Sequence, residues 1–278
     1  MLKTRILTAA VLIAAFIPAL FKLPESYWAL VMLVVTLLAL REWAEMVGFS
    51  SKQNYVYLLI SFVIGLYVIG RMLNNNLHHF FYQSLIIFAV VTCFWVLVVP
   101  IWFTKQFKLR GHILKALLGW LLILPLWLAL VCAKIVDPKL VLVLLATIWI
   151  ADSAAYFAGK NFGKHKLAPS ISPGKTWEGV AGALIGVTIF GAILYFVLGI
   201  KSIAIFPGLW LVTLFGVAGD LFESMIKRQM NLKDSGNLLP GHGGILDRID
   251  GVIPSLPIAI LMIYAYNYFI SVASQHAS

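Results

Sequence analysis

The chain has 278 residues, 62% of them hydrophobic and only 12% charged, with a formal net charge of +10. A mean hydropathy of +0.96 and repeated apolar runs of 16 or more residues exclude an ordinary water-soluble domain and read as a polytopic, all-α membrane protein. In that setting the basic excess belongs to loops that face the cytosol and anionic lipid, and it does not point to nucleic acid.

Nine spans are predicted, at about 6–21, 27–40, 55–69, 81–99, 114–135, 139–159, 179–200, 203–226 and 253–271. The first resembles a signal peptide, but KLPESYW follows it with no small-x-small cleavage site, so it reads as a span that stays in the chain. Across nine spans, 16 of the 21 Lys and Arg collect on one side and 5 on the other. This bias sets the N-terminus in the cytoplasm and the C-terminus outside, as for a bacterial-type inner membrane protein. Trp28, Trp43 and Trp102 fall at span ends, where an indole suits the headgroup level. Cys93 and Cys132 lie in apolar runs and read as packing residues. No internal repeat stands out, and residues 1–278 read as a single membrane domain. Spans in 1–138 serve mainly as scaffold, and 139–278 carry the chemistry.

The first half offers little to a ligand. Glu42 and Glu45, beside Arg41 and Trp43, suit an interfacial helix end. The adjacent His78 and His79 cannot share one helix face and make a weak metal site. The basic loop TKQFKLRGH suits lipid headgroups.

The second half is different. Asp152 lies eight residues before Lys160, and Asp220 seven before Lys227. At 1.5 Å per residue both carboxylates sit about 10–12 Å below the cytosolic boundary. Acids at that depth must face the protein interior or a wet cavity. Asp220, Glu223, Ser224 and Lys227 recur at helical spacing and predict one polar stripe. Between the sixth and seventh spans, Ser172, Lys175 and Thr176 of SPGKTWEG resemble a phosphate-binding turn that enters a helix, with Glu178 next. A plain capped helix start is the alternative there. Asp247 and Asp250, three residues apart, predict a carboxylate cage for magnesium together with Asp220. Lys227, Arg228, Lys233 and Arg248 supply cations for phosphates. Gly243 and Gly244 let backbone N–H groups approach an anion, and His242 between glycines reads as a hydrogen-bond donor to phosphate. Residues alone thus indicate metal-assisted phosphoryl chemistry on a lipid. A cation-coupled carrier is the rival, since it would also place acids within the membrane.

The 27 residues 224–250 also resemble the signature of the phosphatidate cytidylyltransferase (CDP-diacylglycerol synthase) family. The match runs through Ser224, Lys227–Arg228, Lys233–Asp234, His242–Gly244, and Asp247, Arg248 and Asp250. SPGKTWEG and ADSAAYFAGK are similar to the family as well. The resemblance implies that CTP and phosphatidate react to give CDP-diacylglycerol and pyrophosphate. It also implies a magnesium requirement, a second cation such as K⁺, and a homodimer. On that reading Asp220 and Asp247 hold the metal with Asp250 beside them, and Asp152 and Glu178 orient these groups or ligate the second cation. Ser172, Lys175 and Thr176 complete the phosphate pocket.

Overall fold

The computed structural model describes residues 2–74, 77–238 and 243–276. It is almost entirely helical, in chain order α1 (Leu2–Lys22), α2 (Glu25–Met46), α3 (Ser51–Asn74), α4 (Leu77–Cys93), α5 (Val99–Lys105), α6 (His112–Val136), α7 (Pro138–Phe162), α8 (Trp177–Phe196), α9 (Ile205–Gln229), α10 (Leu246–Ile249) and α11 (Val252–His276). Among the described residues, seven helices are long and apolar enough to cross a membrane: 51–74, 79–105, 112–136, 138–162, 177–196, 205–229 and 246–268. The chain is a polytopic membrane protein. The first two predicted spans fall on α1 and α2.

Three local features position the site. First, α4 runs into α5 through a π-helical turn at Phe94–Val98. Pro100 follows, near the start of α5. Proline has no N–H to give a carbonyl one turn earlier, so a widened turn just before it is a natural accommodation. Second, α7 and α8 pack very closely, because Gly182 and Gly186 stand where any Cβ would overlap Ala158 or Ala154. Small residues are the usual means of close helix approach in lipid. Third, the segment that links α7 to α8 is not the turn predicted from sequence. It is an antiparallel hairpin of β1 (Lys166–Ala168) and β2 (Ser172–Thr176). Thr176 then caps α8, its Oγ1 accepting the Gly179 N–H at 3.1 Å.

The main core lies where α2, α6 and α11 meet, with α4 and α9 packed around them. A smaller apolar cluster joins α7, α8 and α9. Trp28, Trp43 and Trp102 belong to the main core, which corrects their reading as headgroup anchors. Their indole N–H groups donate to the carbonyls of Leu130, Lys115 and Phe107, at 3.3, 2.9 and 2.7 Å. Each ring fills a seam and leaves no donor unpaired in the interior. Cys132 is buried as expected, whereas Cys93 is exposed.

Candidate active site

The stripe on α9 forms as its spacing predicts, and it divides into two pairs. The buried pair is Glu223 and Lys227, with residue exposures of 6% and 8%. The Lys227 Nζ lies 3.0 Å from Glu223 Oε2 and 2.6 Å from Asp247 Oδ1. The open pair is Asp220 and Ser224, the Ser224 hydroxyl donating to Asp220 Oδ1 at 3.3 Å. Lys175 reaches over from β2 to place its Nζ 2.7 Å from Asp220 Oδ2.

Asp247 organises the loop that precedes α10. Its carboxylate accepts the backbone N–H groups of Ser235, at 3.0 and 3.2 Å, and Gly244, at 3.1 Å. The Ser235 hydroxyl accepts the Asp247 N–H at 3.3 Å in return. Gly243 has φ +82°, and a Cβ there would stand 3.2 Å from Asp247 Oδ2. Backbone conformation and crowding thus both call for glycine at this position.

Glu42 enters from the other half of the chain. Its exposure is 1%, and its Oε2 accepts the Leu246 N–H at 3.0 Å. A Cβ at Gly236 or Gly244 would press on this carboxylate, at 2.7 and 2.8 Å. Glu42 leaves no room for a Cβ at Gly236, and Glu42 together with the still closer Ser235 hydroxyl leaves none at Gly244. This corrects the reading of Glu42 as an interfacial helix end: it is a buried strut under the polar loop.

The Asp250 Oδ1 accepts the Gly251 N–H at 2.7 Å, and its carboxyl is hydrogen-bonded to that of Glu223 and lies within electrostatic range of Asp220. Asp152 on α7 is exposed and feels both Asp220 and Lys175. The structure thus brings Asp152, Lys175, Asp220, Ser224, Lys227, Asp247 and Asp250 into one region, with Gly243 and Gly244 at its edge. It adds Glu223, Ser235 and Glu42. Of these, Glu223 was legible only as a member of the stripe, and Glu42 carried no signal.

The other predicted residues have different partners or lie at the surface. Arg228 donates to the Leu232 carbonyl at 3.0 Å. Lys233 and Arg248 are exposed, and Ser172 is half-buried in β2. Thr176 serves as the cap of α8. Glu178 turns to His165, 2.6 Å from its Nδ1 and 3.2 Å from its backbone N. His242 lies outside the described residues.

Five carboxyls (Asp152, Asp220, Glu223, Asp247, Asp250) face two ammonium groups (Lys175, Lys227), a surplus of three acids. All-oxygen donors in acidic surplus suit a hard divalent cation. Among the described residues, however, no group of three or more His, Cys, Asp or Glu side chains stands arranged to hold a metal. In the present arrangement the lysines take the acids instead. Asp247 in particular is committed to Lys227 and to two backbone amides.

Comparison with known proteins gives the family. The chain is 35% identical to the phosphatidate cytidylyltransferase of Haemophilus influenzae over 97% of its own length and 99% of that protein. It is 35% identical to that of Pseudomonas aeruginosa over 96% and 99%. A 124-residue stretch is 45% identical to the phosphatidate cytidylyltransferase of Bacillus subtilis, covering 43% of this chain and 45% of that one. The pattern of the Cytidylyltransferase family matches residues 3–266, nearly from end to end. The chain belongs to that family.

Proposed function

We propose that this protein transfers the cytidylyl group of CTP to phosphatidate, giving CDP-diacylglycerol and pyrophosphate at the cytosolic face of a bacterial inner membrane. Relatives named for that activity align over nearly the whole chain. The observation that carries the reading is the closure of the signature loop onto the α9 stripe through Lys227 and Asp247. It sets cations, acids and glycine-rich backbone at one end of membrane-length helices.

In the reaction a phosphate oxygen of the lipid forms a bond to the α-phosphorus of CTP. The bond from that phosphorus to the bridging oxygen breaks, and pyrophosphate leaves with the electron pair. The lipid phosphate is already an anion, so the obstacle is repulsion between anions rather than lack of a base. Lys175 sits on the open side of Asp220, placed to exchange a carboxylate for a phosphate. Lys227 is buried and holds Asp247, which in turn fixes the amides of Ser235 and Gly244. Asp220 and Asp250 are the carboxylates that would hold magnesium, which neutralises phosphate charge when bound. The diacyl chains stay in the bilayer, because each CH₂ withdrawn from it costs about 0.8 kcal/mol. Phosphatidate therefore enters sideways.

The test uses purified protein in detergent with magnesium, phosphatidate and each of the four nucleoside triphosphates. Pyrophosphate release with CTP alone, and only when lipid is present, is expected. Release without phosphatidate, or equally from all four nucleotides, would remove the assignment.

A further inference from the structure

The hairpin that carries Lys175 is too small to hold itself in place. Its strands have 3 and 5 residues, and a two-stranded hairpin on its own is marginal in water. Its ladder is also irregular. Lys166 pairs with Thr176 and Ala168 with Ser172, so Pro173, Gly174 and Lys175 together face Leu167. Pro173 has no N–H to give, and a bulge of this kind re-aims a side chain while it interrupts the ladder. The paired position next to Lys175 is Thr176, at the mouth of the hairpin. What holds that mouth shut decides where Lys175 stands.

At the mouth, His165 is tied to the first turn of α8 through its carbonyl, its backbone N–H and its ring. The carbonyl accepts the Trp177 N–H at 3.0 Å. The backbone N–H lies 3.2 Å from both carboxylate oxygens of Glu178. The ring Nδ1 lies 2.6 Å from Glu178 Oε1. A carboxylate only accepts, so Nδ1 carries the proton. We infer that His165 and Glu178 form a clasp that shuts the mouth of the hairpin and positions Lys175 at Asp220, which makes both of them positioning residues of the active site. The effect on turnover rests on the reaction proposed above; the clasp itself rests on geometry.

The path from the clasp to the site is short. Thr176 is fixed from the α8 side, its Oγ1 accepting the Gly179 N–H. His165, held by Glu178, precedes Lys166, the partner of Thr176 in β1. Lys175 is the next residue back from Thr176, and its Nζ reaches Asp220 Oδ2 at 2.7 Å. Two other roles for the pair fit less well. A histidine oriented by a carboxylate is the pattern of a general base, but this ring is 78% exposed and the phosphate nucleophile is already an anion. A carboxylate near the hairpin could ligate a second cation, as the family resemblance implies, but both oxygens of Glu178 already accept from His165.

Hydrogen–deuterium exchange of the intact protein in detergent, read on peptides that span residues 164–178, tests the clasp without any substrate. Glu178→Ala should speed exchange there by at least about threefold, the scale of one lost hydrogen bond. Glu178→Gln keeps an acceptor for both N–H groups and should stay closer to wild type. His165→Ala decides the matter where Glu178→Ala does not fold, because its ring lies at the surface. Its effect should be smaller, since the backbone bonds of residue 165 remain. Wild-type exchange in both alanine variants overturns the clasp. In turnover, Glu178→Ala should raise the same KM that Lys175→Ala raises, by roughly threefold to tenfold, with kcat within about twofold of wild type. Glu178→Gln should recover most of that rise, and in the Lys175→Ala background Glu178→Ala should add nothing further. A fall in kcat at unchanged KM, or KM increases that multiply in the double variant, overturns the positioning role. If wild-type protein makes no CTP-dependent pyrophosphate, the reaction assignment fails and the exchange data alone decide the clasp.

Discussion

The two lysines of the site do opposite jobs with the same side chain. Lys227 is 10% exposed at the side chain and sits between two carboxylates that come from different elements. Lys175 and its ion-pair partner Asp220 are 23% and 36% exposed at the side chain, and Lys175 is carried by a short hairpin. A charge held by two buried partners is costly to release, because removing any one member leaves another uncompensated. A charge with one partner at a wet edge is nearly free to leave. The comparison separates a fixed frame, made of Glu223, Lys227 and Asp247, from an exchangeable contact, made of Lys175 and Asp220. A substrate phosphate can compete for the second and not for the first.

The largest expected effect comes from breaking the frame. Lys227→Met or Asp247→Asn should each destabilise the protein by about 3–5 kcal/mol, measured as denaturant midpoint in detergent. Each should also lower activity by at least about a hundredfold, the scale of a lost electrostatic anchor. The double variant sharpens the point. With both charges gone, the combined loss should be smaller than the sum of the two single losses, since the interaction between them is counted twice. Strict additivity would mean that Lys227 and Asp247 do not act as a unit.

Next comes Glu42, which supports the frame from the first half of the chain. Glu42→Ala leaves the Leu246 N–H without its acceptor and opens space under Gly236 and Gly244. A loss of about 1–3 kcal/mol is expected. Glu42→Gln keeps an acceptor for that N–H, so it should recover most of the stability. If Glu42→Gln behaves like Glu42→Ala, it is the charge rather than the acceptor that matters.

Gly243→Ala is smaller again. It places a Cβ at φ +82° and 3.2 Å from Asp247 Oδ2. A cost of about 1–2 kcal/mol is expected from the backbone alone. Thermal unfolding in detergent reads it directly, and a wild-type midpoint would show that the loop re-forms without a glycine there.

The parts of this arrangement that were legible in the sequence are those written at short range. Apolar runs predicted the helices, because a bilayer demands continuous hydrocarbon and satisfied backbone. The period of α9 predicted which of its polar residues share a face. What escaped was set by distant pairing. Glu42 and Leu246 are separated by 204 positions, and nothing local marks a Glu at a helix end as a future strut. The stretch Ser172–Thr176 was read as a turn because the two strands of its hairpin, 3 and 5 residues long, are too short to show alternation. Thr176 was read as a ligand residue on the strength of that turn, with a helix cap as the alternative, and Glu178 on the strength of the family resemblance. In the strand-to-helix geometry one of them caps α8 and the other turns to His165. The span-end tryptophans misled for a related reason: position along a helix says how deep an indole lies, not which way it points.

The smallest effect on folding, and the most informative about substrate, is expected at Lys175. Lys175→Ala removes one partly exposed pair, so stability should change by no more than about 1 kcal/mol. Asp220 then loses its cation and Asp152 loses a nearby positive charge, which raises the negative potential at the open edge of the site. An incoming phosphate meets that potential, so KM should rise by roughly tenfold, equivalent to one charged contact. The substrate whose KM rises is the one that Lys175 touches, which assigns the hairpin to CTP or to phosphatidate. Salt provides a control. Added monovalent salt screens an exposed charge more than a buried one, so it should raise KM in the wild type and have less effect in Lys175→Ala. If both KM values and their salt dependence match the wild type, Lys175 only pins the hairpin to α9, and the division into frame and exchangeable contact fails on its open side.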